Sequence, residues 1–154
     1  MNVFIKREYD YALRICTYLA EFFQVKTLPL SKITNYLHIS RPFASKIVHK
    51  LRKADLLGTV QGKFGGIYLK KDPNDISVMD VFQAMDFDST LNECIQNHEV
   101  CPFVGDCAIH TFFNEQEDKL FAAFRDKRLV DFIFNKKRRF QLKRVPTDTQ
   151  QETI

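Results

Sequence analysis

The chain has 154 residues, of which 45% are hydrophobic and 27% are charged, and its formal net charge is +4. This length suits one domain, or one domain with an appendage, and it can bury a hydrophobic core without disulfide support. Charges near the start of the chain exclude a secretory signal, and no uncharged apolar run could span a bilayer, so the sequence predicts a cytoplasmic protein that does not enter a membrane.

The charges are unevenly distributed along the chain. Residues 1–73 hold 13 Lys and Arg against 5 Asp and Glu, residues 74–134 hold 4 against 12, and residues 135–154 hold 6 against 2. A basic N-terminal half is expected of a protein that binds a polyanion, because each neutralised phosphate releases condensed counterions. A mixed, solvated surface is the simpler interpretation of the charge alone.

The first predicted element is an amphipathic helix in DYALRICTYLAEFF, whose apolar residues recur at helical spacing. Cys16 lies inside the apolar stripe, far along the chain from the other cysteines. An isolated cysteine in such a stripe is expected to be a small buried core residue.

Two further helices are predicted next. LPLSKITNYLHIS indicates a short helix that begins near Pro29, and SRPFASKIVHKLRKADLLG indicates a longer one with Ser40 as its N-cap and its end near Gly58. The exposed face of the longer helix is small and basic. Two helices joined by a few residues, with basic side chains on the second, are typical of a DNA-binding helix-turn-helix.

The segment TVQGKFGGIYL predicts a β-hairpin with strands at 59–61 and 67–69 around a glycine-rich turn. Lys63 and Phe64 lie at its tip. A hairpin directly after a recognition helix is the wing of a winged-helix domain. The alternative, a phosphate-binding loop, lacks the Lys-Ser/Thr pair that such loops carry.

The second half of the chain is predicted to be helical on either side of a cysteine-rich loop. DISVMDVFQAMD indicates a short helix that begins with a capping box of Ser77 and Asp80. The phenylalanine-rich residues 111–135 predict one long helix with more apolar face than a single winged helix can cover. We expect this helix to form a homodimer interface, with packing against the first helix of the same chain as the alternative.

The predicted fold is therefore mainly α with one small β-hairpin wing. Its expected parts are a winged helix-turn-helix domain at 1–86, a cysteine-rich cluster-binding loop at 87–110, a dimerisation helix at 111–135 and a basic, flexible tail at 136–154.

Three cysteines and a histidine, Cys94, Cys101, Cys107 and His110, lie in ECIQNHEVCPFVGDCAIHT. The gaps of six and five residues between the cysteines are longer than those of zinc knuckles, and three thiolates on a long loop suit a larger group such as an iron–sulfur cluster. His110 follows Cys107 by three residues and is the nearest candidate for a fourth ligand. Zinc binding and a metal-free thiol switch are the alternatives.

Four segments together resemble one protein family: the opening YDYALRICTYLA, the helix-turn-helix ISRPFASKIVHKLRKADLL, the wing TVQGKFGGIYL and the three-cysteine loop. Over about residues 1–135 the chain resembles the IscR- and NsrR-type regulators of the Rrf2 family. The resemblance implies a homodimeric winged-helix transcription regulator, a repressor or an activator, that binds a palindromic operator in double-stranded DNA. It also implies an iron–sulfur cluster on the three loop cysteines that senses nitric oxide, redox state or iron–sulfur status.

The resemblance leaves two candidates for the fourth cluster ligand. IscR-type proteins use a histidine shortly after the third cysteine, which His110 matches, and this ligand set suits a [2Fe–2S] cluster. NsrR-type proteins use an aspartate from the first helix of the partner subunit, which Asp10 in DYALR matches, and this set suits a [4Fe–4S] cluster. The closer local match around Asp10 favours [4Fe–4S], although an acidic residue near a helix N-terminus is also common without any ligand role.

We expect the DNA contacts to come from the start of the recognition helix and from the wing. The helix residues would reach base edges and nearby phosphates in the major groove, and two lysines would contact the backbone. At Gln61 the family often has an arginine that enters the minor groove, so Lys63 is the alternative for that contact. The expected DNA-binding residues are Ser40, Arg41, Ser45, Lys46, Lys50, Gln61 and Lys63.

An enzyme is not expected. The sequence shows no pair of catalytic carboxylates, no Ser-His-Asp set and no nucleotide-binding loop. A small redox enzyme or electron carrier is the alternative class, but it leaves the basic helix and the wing unexplained.

Overall fold

The computed structural model describes residues 3–103 and 105–143. It is mainly helical, with one antiparallel hairpin, as predicted. Two short 3₁₀ turns lie at His98–Val100 and Leu129–Phe132. The helices and strands are α1 (Arg7–Ala20), α2 (Leu30–Leu37), α3 (Arg41–Lys53), β1 (Leu57–Val60), β2 (Gly66–Leu69), α4 (Val78–Ala84), α5 (Glu93–Gln96), α6 (Ala108–Asp126) and α7 (Lys136–Leu142).

Helix α1 lies at the centre of the hydrophobic core and contacts α2, α3, α4, β2 and the second 3₁₀ turn. Its apolar stripe is fully covered, and Ile15 and Cys16 have no exposed surface. Helix α3 contributes Ile47 and Leu51, which are equally buried. Complete burial of such a side chain contributes roughly 1.5–3 kcal/mol, so each of these residues contributes substantially to stability.

The helix-turn-helix forms because both of its junctions are encoded locally. His38 ends α2 in the left-handed conformation, with φ 52°, and turns the chain towards α3. The predicted N-cap of α3 is confirmed, because the Ser40 side chain accepts a hydrogen bond from the Phe43 N–H at 3.4 Å. The helix ends at Lys53 and not near Gly58, because Asp55 takes φ 61° and the buried Leu56 already leads into β1.

The wing is a two-stranded hairpin in which Leu57 pairs with Leu69 and Val60 with Gly66. A third segment joins it, because Leu28 and Ile67 exchange backbone hydrogen bonds of 2.8 and 2.9 Å. A side chain at Gly66 would place its Cβ 2.7 Å from the Leu28 backbone. Glycine at this position therefore allows the wing to dock on the start of α2.

The prediction of one long helix over residues 111–135 is wrong for the C-terminal part of this range. Helix α6 begins at Ala108 and ends at Asp126, and the chain then pairs with the segment before α4, where Leu129 N–H donates to the Ile76 carbonyl at 3.0 Å. Leu129, Val130 and Ile133 are buried in the core against α1 of the same chain. The apolar residues that suggested a longer helix face therefore cover the winged-helix domain instead.

Residues 136–154 were predicted to be a basic, flexible tail. The first of them are basic but ordered, because Lys136–Leu142 form α7. Arg138 fixes this helix to the end of α1, where its guanidinium donates to the carbonyls of Glu21 at 3.0 Å and Phe23 at 2.6 Å. Residues 144–154 of the predicted tail lie outside the described residues. No helix within the described ranges is long and apolar enough to cross a bilayer.

Candidate functional site

The outward face of α3 forms the first candidate surface. Its inward residues, Ala44, Ile47, Val48 and Leu51, are in the core. Helical geometry then leaves the predicted DNA-binding residues on the opposite side, and Ser40, Arg41, Ser45 and Lys46 are all exposed. The neighbouring exposed residues of the same helix are also polar or basic, namely His49, Arg52 and Lys53.

Two lysines of this surface are already paired with carboxylates. Lys46 Nζ lies 3.1 Å from Glu8 Oε2, which connects α3 to α1. Lys50 Nζ lies 2.9 Å from Asp86 Oδ2, and this hydrogen bond raises the pKa of Lys50. Each lysine would have to exchange a carboxylate for a phosphate if it contacted DNA. Such exposed ion pairs contribute little stability, so the exchange costs little.

The wing supplies the second part of the surface. Gln61 and Lys63 are both exposed, and the Phe64 side chain is 89% exposed. Lys63 Nζ lies 5.8 Å from the centre of the Phe64 ring. Because β1 follows α3 directly and packs on it, the wing extends the basic surface of the recognition helix.

The cysteine segment, residues 88–103 and 105–107, contains short helical turns that are capped by asparagines. Helix α5 carries Cys94 and is capped by Asn92, whose side chain accepts from the Cys94 N–H at 3.4 Å. Cys107 is the N-cap residue of α6. Cys94, Cys101 and Cys107 are all half-buried.

The structure brings one of the three cysteines together with a candidate fourth ligand. Cys94 Sγ lies 3.3 Å from His110 Nδ1, which is in the first turn of α6. His98 also lies close to this pair, with its ring 5.7 Å from that of His110. Over residues 3–103 and 105–143, no three His, Cys, Asp or Glu side chains are grouped closely enough to hold a metal ion, so Cys101 and Cys107 do not join the pair.

Asp10 is placed elsewhere on the molecule, on α1. Its carboxylate accepts from Arg14 Nε at 2.9 Å. The two residues line a cavity of about 240 Å³ whose other walls include Thr17, Phe132 and Phe134. To act as a cluster ligand, the Asp10 carboxylate would have to give up its hydrogen bond with Arg14.

Cys16 is chemically distinct from the loop cysteines. It is fully buried, and burial raises its pKa to about 12. This confirms its predicted role as a core residue and separates it from any thiolate chemistry at the loop.

Sequence reasoning missed Glu117, which joins the cysteine segment to α6. The Glu117 side chain accepts hydrogen bonds from Thr90 and Leu91, just before α5. A signal was available in the spacing, because Glu117 follows His110 by seven residues, or two helical turns, and so lies on the same face of α6.

Two relatives named as transcriptional regulators are similar to this chain over most of its length. NsrR of Oceanobacillus iheyensis, an HTH-type transcriptional regulator, is 28% identical over 134 residues, which cover 85% of this chain and 90% of that protein. IscR of Pectobacterium atrosepticum, also an HTH-type transcriptional regulator, is 29% identical over 151 residues, which cover 94% of this chain and 92% of that protein.

Solved structures share the fold. CymR of B. subtilis, the global cysteine regulator, superimposes with a TM-score of 0.74 at 19% identity and covers 86% of this chain and 96% of that one. IscR of T. potens gives a TM-score of 0.68 at 21% identity and covers 85% of each chain. The family model Rrf2, an iron-dependent transcriptional regulator, matches residues 5–135. The chain belongs to the Rrf2 family of DNA-binding transcription regulators.

Proposed function

We propose that this regulator is a homodimer that binds a palindromic operator and senses nitric oxide, redox state or iron–sulfur status through an iron–sulfur cluster on Cys94, Cys101 and Cys107. The contact of 3.3 Å between Cys94 Sγ and His110 Nδ1 carries the proposal, because it places a soft thiol donor beside an imidazole. The relatives named NsrR and IscR and the iron-dependent family description support it.

The donor set fits an iron–sulfur cluster in kind. Such clusters are held mainly by thiolates, and histidine replaces cysteine at some irons. The three half-buried loop cysteines are reachable from solvent, whereas Cys16 is not. The bound cluster would supply a redox-active and nitric oxide-reactive centre.

The fourth ligand separates two versions of the proposal. The His110 contact with Cys94 supports an imidazole ligand and a [2Fe–2S] cluster. The DYALR sequence around Asp10 supports a carboxylate from the partner subunit and a [4Fe–4S] cluster. In the second version Asp10 gives up its bond to Arg14.

Helix α6 supports the homodimer. It has 19 residues, and Glu117 is its one buried residue. Ile109 and Phe112 are 65% and 54% exposed on this helix. One side of α6 packs on α4 and α5, but large apolar residues that stay exposed on the rest of the helix are expected at an interface with a second copy. A twofold dimer would present two α3 helices to half-sites about one helical turn apart, or a multiple of it.

The connection between the two sites runs through α6. Because Cys94 contacts His110 at the start of α6, ligation of the loop cysteines would act directly on the helix proposed to form the dimer. The cluster can then change DNA affinity only by as much as it favours one dimer arrangement over another.

The deciding experiment is purification without oxygen, followed by visible absorption and by assay of iron and acid-labile sulfide per chain. About four of each would support the version with Asp10, and about two of each the version with His110. Protein that lacks iron even after anaerobic reconstitution would contradict cluster sensing. That outcome would favour a thiol-redox or zinc-dependent regulator on the same fold. The likeness to CymR supports the fold of such a regulator but not its role.

Separate Asp10→Ala and His110→Ala variants identify the fourth ligand. The variant that lacks the true ligand should show an altered cluster spectrum and faster loss of iron, and the other should behave as the wild type. An unaltered spectrum in both variants would rule out both residues.

The DNA surface is tested by Lys46→Ala, with Lys137→Ala, an exposed lysine of α7, as the matched control. Loss of one phosphate contact is expected to weaken operator binding roughly tenfold at low salt and to reduce the salt dependence by about one counterion. Lys137→Ala should leave affinity unchanged. Equal affinities of both variants at two salt concentrations would mean that α3 is not the recognition helix.

A further inference from the structure

Glu117 is an unusual residue for the inward face of α6. Its side chain is 8% exposed, and it is the one acidic or basic residue among the buried residues of the described chain. Burial of a carboxylate is unfavourable unless hydrogen bonds replace the lost water. An apolar side chain would be more favourable if this position only had to be buried. The role of Glu117 must therefore lie in the contacts of its carboxylate.

Both hydrogen bonds of Glu117 go to the segment that precedes α5. Its Oε2 atom accepts from the Thr90 hydroxyl at 2.7 Å and from the Leu91 N–H at 2.6 Å. Hydrogen bonds to a charged acceptor are shorter and stronger than neutral ones. One side chain of α6 therefore fixes both a side chain and the backbone of residues 90 and 91.

These two residues lead directly to the first loop cysteine. Asn92 follows them and caps α5 by accepting from the Cys94 N–H. Two turns earlier on the same face of α6, roughly 10 Å along the helix, His110 contacts the Cys94 thiol. Glu117 and His110 thus hold the short α5 segment against α6 at two points.

We infer that Glu117 is a positioning residue that docks Thr90 and Leu91 on α6 and so sets the place of the Cys94 thiol beside His110. Its importance for sensing rests on the proposed function, because there Cys94 is a cluster ligand. The docking of residues 90 and 91 on α6 does not depend on the proposed function. Leu91 itself is 38% exposed, and the other contacts of this stretch lie before Thr90. They include a 3.4 Å hydrogen bond from Ser89 to the Phe4 carbonyl, an exposed ion pair of Asp88 with Lys6 at 4.0 Å, and the Phe87 ring, which packs on Phe121.

The test uses the full chain without cluster, under reducing conditions, and compares Glu117→Ala and Glu117→Gln with Asp118→Asn. Asp118 is the next residue of the same helix and is exposed, so its variant removes a negative charge without any effect on the docking. Hydrogen exchange is measured at the Leu91 amide, and alkylation rates are measured at each loop cysteine.

Glu117→Ala should raise exchange at the Leu91 amide at least about tenfold, because its charged acceptor is lost. Alkylation of Cys94 should become several-fold faster, while Cys101 and Cys107 change little. Glu117→Gln should give an intermediate result because its amide oxygen still accepts a hydrogen bond. Asp118→Asn should match the wild type.

Two outcomes would overturn the inference. Exchange at Leu91 that is the same in Glu117→Ala and Asp118→Asn would mean that the carboxylate does not hold the segment. Faster alkylation of all three loop cysteines, together with a lower melting temperature, would mean that Glu117 only stabilises the fold.

A second readout in reconstituted protein separates this inference from the proposed function. Glu117→Ala should lose iron in air several-fold faster than the wild type and Asp118→Asn. Wild-type protein that assembles no cluster would contradict the proposed function, whereas the measurements without cluster would still decide the role of Glu117.

Discussion

The winged-helix region, residues 7–86, and the cysteine segment, residues 88–103 and 105–107, are held together in different ways. Each long helix of the first region places apolar residues in one core that includes Ile15, Ile33 and Leu51. In the second region none of the described residues is buried. Its local order comes from polar contacts, such as the asparagine caps of α5 and of the 3₁₀ turn that follows it.

This difference separates a scaffold from a responsive element. A buried apolar side chain contributes roughly 1.5–3 kcal/mol, whereas an exposed or half-exposed hydrogen bond contributes about 1 kcal/mol net. The cysteine segment therefore belongs to the part of the molecule that opens at low free energy. In a regulator, a segment of this kind can be ordered by whatever its thiols bind, while the DNA-binding region stays folded.

The largest expected difference between the two regions is the reactivity of their cysteines. Burial raises the pKa of Cys16 from 9.0 to about 12, which lowers its thiolate fraction roughly thousandfold. Cys94, Cys101 and Cys107 are half-buried. Alkylation of the native, cluster-free protein should therefore label three cysteines, and Cys16 should react at least a hundredfold more slowly. Mass spectrometry of the peptides measures this directly.

The control for this labelling is the unfolded chain. In strong denaturant all four cysteines should react at similar rates, because burial no longer distinguishes them. Native Cys16 that reacts as fast as Cys101 would show that the core around α1 opens as readily as the loop, and the contrast between the regions would fail.

The next largest effect is expected from removing matched leucine side chains. Leu51→Ala leaves a cavity in the core and should lower the free energy of unfolding by about 3 kcal/mol. Leu91→Ala, at a position that is 38% exposed in the cysteine segment, should cost less than about 1 kcal/mol. Urea unfolding of both variants measures the difference. Equal losses would mean that the cysteine segment unfolds together with the core.

The sequence predicted most of the first region correctly, apart from the end of α3, because the signals there are local. The apolar stripes of α1 and α3, the Ser40 cap and the capping box of Ser77 and Asp80 each involve residues within one or two turns, and the structure confirms them. The family resemblance is confirmed for the same reason, since it depended on the order of these local motifs.

Features set by distant contacts were predicted less well. Residues 129–133 have helical spacing but leave the helix, because the Leu129 N–H pairs with the Ile76 carbonyl far earlier in the chain. Their packing on α1 of the same chain was predicted only as the alternative to a dimer contact. The burial of Glu117 was not predicted either, because its hydrogen-bond partners Thr90 and Leu91 lie 27 and 26 residues earlier in the chain. The grouping of three cysteines with a fourth ligand also depends on tertiary structure and stays a prediction.

Helix caps offer a third, smaller comparison of the two regions. Ser77 is buried at the start of α4, where its Oγ accepts from the Asp80 N–H at 3.0 Å, so Ser77→Ala should cost about 1 kcal/mol of global stability. Asn92 caps α5 in the same manner, but α5 has no buried residue. Asn92→Ala should therefore change global stability by less than about 0.5 kcal/mol while it speeds hydrogen exchange in the segment. A larger decrease in the free energy of unfolding for Asn92→Ala would mean that the two regions unfold together.

The smallest expected effect concerns Asp131, whose side chain pairs with Lys143 and with the Arg128 N–H and so fixes the turn at Leu129–Phe132. Burial opposes its ionised form, but the ion pair with Lys143 at 2.7 Å and the hydrogen bond from the Arg128 N–H at 3.1 Å outweigh it and lower the pKa of Asp131. A carboxyl whose pKa is lower in the folded state stabilises the fold above its unfolded pKa, near 4. This stabilisation is lost as the pH falls through the folded pKa.

Asp131→Asn should therefore lower the free energy of unfolding by about 0.5 kcal/mol at pH 7, a small value because Lys143 is half-exposed. The difference between the variant and the wild type should shrink as the pH falls below about 4, and it should vanish once the pH is below the lowered folded pKa, where the wild-type carboxyl is protonated and has lost its ion pair. Asp126→Asn, at an exposed position that ends α6, is the control and should follow the wild type throughout. A difference for Asp131→Asn that is unchanged at pH 3 would mean that the side chain acts through packing and not through its charge. The stable region would then include residues 129–133 by apolar burial alone.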